Sequence, residues 1–138
     1  MRIAILGILF MAVVNLTNAA EVPKTKEEEW AFERGCMGTQ PANLCAIYDS
    51  RVADAELASL YSQESAKLAS FPAALKRLEE ARDAWTKFVE ADCHFQMGTG
   101  GGSGFPGMYA TCVTAHTKRR IEQLKEYVGC HHDGCWPK

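Results

Sequence analysis

Six cysteines, all downstream of an apolar leader, limit this chain more than any other feature of it. The leader opens with Arg2, continues as an uncharged apolar run from Ile3 to Val14, and closes on the small residues Leu16-Thr17-Asn18-Ala19-Ala20. That order reads as a secretory signal peptide over residues 1–20, cut after Ala19 or Ala20. An apolar run of about 12 residues is short for a hydrocarbon layer of ~30 Å. The first cysteine after it is Cys36, so no lipid attachment at the mature end and no stable membrane anchor after cleavage are expected. Export places Cys36, Cys45, Cys93, Cys112, Cys130 and Cys135 where thiols oxidise, and an even count there reads as a disulfide framework. Six cysteines allow fifteen pairings. Chain order favours three local bridges: Cys36–Cys45, Cys93–Cys112 and Cys130–Cys135.

Residues 21–138 make one domain's worth of chain, with residues 129–138 as a C-terminal tail. Small domains bury a modest core and often need staples. The full chain carries a formal charge of −2. Losing the leader removes Arg2 and no acid, which gives −3 for the mature chain. Nucleic acid needs a basic surface and is excluded as a partner.

Apolar periodicity predicts three long helices and no strand. The first runs roughly over 41–69, opened by Pro41 after Thr39 or Gln40, with Leu44, Ile47, Tyr48, Val52, Ala55, Leu57, Leu60, Tyr61 and Leu68 along it. The second runs roughly over 72–97, with Ser70 as N-cap and Pro72 in its first turn. Its stripe is Ala74, Leu78, Ala81, Trp85 and Phe88, flanked by Leu75 and Val89, so Trp85 is assigned to the core. The third runs roughly over 106–128 through Ala110, Val113, Thr117, Ile121, Leu124 and Val128, and Gly129 stops it. A short helical piece near Lys26–Arg34 precedes them. The expected fold is all-α: an antiparallel three-helix bundle with disulfides and a glycine-rich loop between the last two long helices.

That loop lies between Cys93 and Cys112, and it holds six glycines in ten positions, Gly98 to Gly107. A bridge across it would close about 18 residues, worth roughly 3 kcal/mol by chain entropy. A slack spacer has no use for cysteines at both ends. Gly102-Ser103-Gly104-Phe105-Pro106-Gly107 spells G-x-G-x-x-G, but a dinucleotide site needs a strand before it, and Pro106 lacks a donor. No lysine follows as a P-loop requires, so no cofactor is expected. Ser103 lacks the second glycine of a nucleophile elbow, since Phe105 stands there. His94 and His116 are near in sequence, yet no acid partner or oxyanion site is marked. Capping of the following helix suits Ser103 better, and no catalytic residue is assigned. His131, His132 and Asp133 in the tail are metal ligands by type, but adjacent histidines point apart and the cysteines pair, so no metal is assigned. Arg120 is expected to lay its stem on the bundle edge and pair with Asp54 or Glu56.

The segments "ADAELASLY", "LEEARDAWTKFVEADC", "GGSGFPGMYATC" and "TKRRIEQLKEY" occur in that order. Together they resemble a small bacterial family typified by the N-terminal domain of the LprI lysozyme inhibitor. The resemblance covers roughly Met37 to Tyr127 and rests on Ala84-Trp85, Cys93, Gly101-Gly102-Ser103, Cys112, Thr117, Arg120 and Leu124. The chain departs from the family pattern at Ala58, Arg82-Asp83 and Val89-Glu90. The resemblance implies a periplasmic or secreted protein of the bacterial envelope, not an enzyme, that binds and blocks lysozyme. A mildly acidic protein suits a basic partner, and a fixed loop loses little entropy on docking. The expected contact set is Gly101, Gly102, Ser103, Gly104, Phe105 and Pro106, with Phe105 as the apolar anchor. The competing readings are an envelope adaptor for another protein, and a metal-binding protein that uses the Cys/His tail.

Overall fold

The computed structural model describes residues 21–130 and Cys135. The leader and the residues His131, His132 and Asp133 of the tail lie outside the described residues. Among the described residues four helices follow one another: α1 (Lys26–Glu33), α2 (Thr39–Lys67), α3 (Pro72–Met97) and α4 (Phe105–Gly129). The three cysteine pairs are those that chain order favours.

Helix α1 starts at a reciprocal cap. Thr25 Oγ1 accepts from Glu28 N at 3.2 Å, and Thr25 N donates to Glu28 Oε2 at 2.7 Å. Glu28 is buried, and Arg51 of α2 donates to both its carboxylate oxygens at 2.6 and 2.7 Å. Burial pushes the Glu28 carboxyl up, but the Arg51 and Thr25 hydrogen bonds outweigh it and hold the group below its ordinary value. With the Cys36–Cys45 bridge, these contacts lay α1 along the first half of α2.

Helices α2 and α4 form the main seam. They run parallel, as cross-helix partners show: Asn43 with Gly107, Asp54 with Thr117, Tyr61 with Arg120, and Lys67 with the carbonyls of Tyr127 and Val128. Ala53, Leu57, Leu60 and Tyr61 of α2 close on Ile121 and Leu124 of α4, and Leu124 is fully buried. At the start of the seam the backbones nearly touch. A Cβ on Gly107 would stand 2.9 Å from the Cα of Asn43, so only glycine fits there.

Helix α3 runs back between them in sequence but leans on α4 and scarcely meets α2. The stripe read from the sequence is buried in part, with Leu78 and Trp85 packed against the core. Phe88 is 56% exposed and Ala81 is exposed, whereas Val89 and Cys93 are buried. Trp85, assigned to the core, is half-buried and packs against both buried clusters among the described residues. Val89 and Cys93 extend the packed face, and Phe88, though more than half exposed, meets His116 of α4 edge-on at 5.6 Å. Clefts remain on either side of the Arg82 level, one lined by Asp54, Tyr61 and Trp85, the other by Leu68, Leu78 and Tyr127. Two helix starts also differ from expectation. Thr39 already lies inside α2, with Gly38 at the cap, and Phe71 takes the cap position of α3 in place of Ser70.

Candidate functional site

The start of α2, the end of α3 and the start of α4 meet at one end of the molecule, where the glycine-rich connection spans 98–104. Gly98 ends α3 at φ +63°, a left-handed conformation that suits glycine. Phe105 N then donates to Gly102 O at 2.9 Å, and this turn leads into α4, whose first turn contains Pro106. Gly101, Gly102, Ser103 and Pro106 are exposed, and Gly104 and Phe105 are half-buried.

Two attachments fix this segment. Below it, Cys93 is joined to Cys112, tying the last turns of α3 to the second turn of α4. Beside it stands Asn43 of α2, whose Nδ2 donates to Ser103 O at 2.6 Å while its Oδ1 accepts from Gly107 N at 3.1 Å. One amide thus holds both sides of the α4 start, satisfying a donor that the helix itself leaves free. Ser103 therefore contributes its carbonyl, and the cap position belongs to Gly104, which has no side chain to cap with.

Phe105, expected as the apolar anchor, is half-buried. Its ring stacks on Tyr109 at 6.0 Å and on His94 at 6.2 Å, forming a trio that stiffens the corner. The apolar side chains offered to solvent at this end are others: Phe95 is 83% exposed, and Met37 and Met108 are exposed with it. Sequence reasoning passed over them because none belongs to a helix stripe. The one available signal was an aromatic residue, Phe95, on the wet side of α3 three positions before the glycines.

His94 is engaged with this ring trio and His116 Nε2 meets Asp92 Oδ2 at 2.8 Å. Among the described residues neither histidine bonds to Ser103, and a helix, not a strand, leads into the G-x-G-x-x-G run. His116 also lies close to the bridge, with a ring nitrogen and both sulfurs within 4.8 Å of one another. Those sulfurs are bonded to each other.

The resemblance-bearing residues outside the loop gather elsewhere. Trp85 and Thr117 line a cleft between α2 and α3 floored by α4, together with Ala58, Arg82, Val89 and Glu90, where the chain departs from the family pattern. Arg120 stands behind it. Its Nε donates to the Tyr61 hydroxyl at 2.9 Å and its guanidinium also reaches Gln123, so neither Asp54 nor Glu56 is its partner. Asp54 instead accepts from Thr117, and Glu56 pairs with Lys125. Tyr61 outcompetes the acids because it is buried and fixed at the seam, next to the root of Arg120.

No solved structure matches this chain. An uncharacterised protein of Rhizobium meliloti (strain 1021) is 30% identical over 105 residues, which span 67% of this chain and 76% of that protein. The family described as lysozyme inhibitor LprI matches residues 35–124, from the α1–α2 turn to the centre of the α4 seam. That match takes in the clamped loop, its bridge and Trp85 together, and the chain belongs to the LprI lysozyme inhibitor family.

Proposed function

We propose that this protein is exported to the cell envelope and there binds and blocks lysozyme, meeting it with the end of the molecule that carries residues 101–106. It acts as a binding protein and not as an enzyme. The observation that carries the reading is the immobilised loop: Asn43 and the Cys93–Cys112 bridge hold a protruding backbone beside the exposed Phe95 and Met108. Backbone that is already ordered loses little entropy on docking. Glycines let a partner's surface approach the main chain closely, and a few large apolar side chains commonly supply most of an interface's affinity. The acidic net charge favours encounter with a basic lysozyme.

The test is titration of the purified chain against animal-type and bacteriophage-type lysozymes, following complex formation and cell-wall hydrolysis together. Replacing Phe95 and Met108 by Ser, both exposed, is expected to weaken inhibition about tenfold or more without changing the melting temperature. Adding Ser103→Ala and Phe105→Ala is expected to weaken it further. Unchanged inhibition by these variants removes this end of the molecule from the mechanism. Absence of any complex with either lysozyme removes the function itself.

A further inference from the structure

The cleft between α2 and α3 at the level of Trp85 has no part in the proposal above. It has a volume of about 330 Å³, at the small end of the range for ligand sites, ~300–1,000 Å³. Trp85 packs against both apolar clusters of the molecule, so its ring is held in place while part of it faces the opening. Such a ring offers a flat apolar face whose ordering cost is already met by the fold.

Around that face the charges nearly cancel. Asp54 and Glu90 stand on the walls, Arg82 reaches across the cleft over the Tyr61 ring at 5.0 Å, and Arg120 backs the same ring at 5.7 Å. With Arg120 behind the wall counted beside Arg82, two acids meet two bases, which gives no strong reason to hold either an anion or a cation. They do give planar groups able to donate and accept side by side. Asp54 retains acceptor capacity, since the hydrogen bond it receives comes from neutral Thr117 at a long 3.4 Å. Burial pushes its carboxyl up, and the Thr117 bond opposes this only in part. Thr86, whose hydroxyl donates to the Arg82 carbonyl at 3.0 Å, adds an acceptor oxygen to the rim.

A ligand that matches these surroundings has a flat apolar face, a ring of hydroxyls at its edge and no charge. We propose that the Trp85 cleft binds a neutral saccharide, with one pyranose ring lying on Trp85 and its hydroxyls shared between Asp54, Arg82 and Glu90. The site is separate from the loop end and needs no lysozyme.

Saturation-transfer NMR on the full mature chain tests this, with chitotriose and cellotriose as neutral probes, and inorganic phosphate and spermidine as charged controls. The neutral sugars are expected to receive saturation at millimolar concentration and the controls to receive none. Glu90→Gln, an exposed change that leaves the fold alone, is expected to weaken sugar binding roughly fivefold, and Trp85→Phe more strongly. Melting curves of both variants confirm that they are folded. Lack of transfer to either sugar overturns the proposal. So does equal or better binding of a charged control, or sugar binding that neither variant alters.

Discussion

Helix α4 has two long neighbours and meets them by different means. Toward α2 it presents small and aliphatic side chains, Gly107 at the start and Ile121 and Leu124 further along, and the seam closes over its whole length. Toward α3 it offers discrete tethers: a disulfide to Cys93, a hydrogen bond from His116 to Asp92, and a short apolar patch around Val89. The first mode gains from buried area and close packing, which favour one arrangement. The second fixes a few points and leaves clefts between them. The contrast separates what holds the molecule together from what positions its displayed end. The α2–α4 seam is the stable base, and the α3 tethers aim the glycine loop.

The largest effect expected from this difference is at Leu124. It is fully buried at the centre of the close seam, so Leu124→Ala is expected to cost about 2–5 kcal/mol by denaturant unfolding. The loss falls on every helix at once, because α2 and α4 are the base of the others. A cost below about 1 kcal/mol would mean that the seam is loose and that the contrast is false.

The paired change Cys93→Ser with Cys112→Ser comes next, at roughly 3 kcal/mol from chain entropy. Hydrogen exchange sharpens the comparison more than the total does. Amides near the end of α3 and in residues 98–104 are expected to lose protection, while those of Leu57, Leu60 and Leu124 keep theirs relative to the new global stability. Uniform loss across all four helices would show that the bridge supports the base as well.

The same division explains what the sequence revealed. The stripe of α4 was legible at Ala110, Thr117, Ile121 and Leu124 because a helix packed along its length must be apolar at those spacings. The stripe of α3 was legible at Leu78 and Trp85 and not at Ala81 and Phe88, because periodicity locates an apolar face and not the neighbour that covers it. The narrow contact with α4 leaves Phe88 more than half exposed, with its ring edge-on to His116. The bridges were legible from chain order, since Cys36–Cys45 and Cys93–Cys112 each span one turn between helices. The Asn43 clamp was not. It joins residues 60 and 64 positions apart, and nothing local distinguishes that asparagine from any other polar residue on α2. The true partner of Arg120 was hidden for the same reason, because it depends on which group of α2 the seam brings alongside.

The smallest expected effect bears most directly on the comparison. Arg82 is exposed, and its guanidinium over Tyr61 is the tether that reaches from α3 to α2. A cation–π contact at such a site contributes about 0.5–1 kcal/mol, so Arg82→Ala is expected to move the unfolding midpoint very little. Its local consequence is larger. Residues 72–82 lie far from the Cys93 bridge and are held to α2 by the 68–71 turn and by Leu78 against the core, so removing Arg82 loosens that half of α3 without releasing it. Exchange of its amides is expected to rise several-fold while α2 and α4 are unchanged, and Arg82→Lys, which keeps a cation over the ring, is expected to restore part of the protection. If Arg82→Ala instead destabilises the chain as much as Leu124→Ala, α3 belongs to the base. The loop would then be held by the core itself, and the distinction between scaffold and tether would have no physical content.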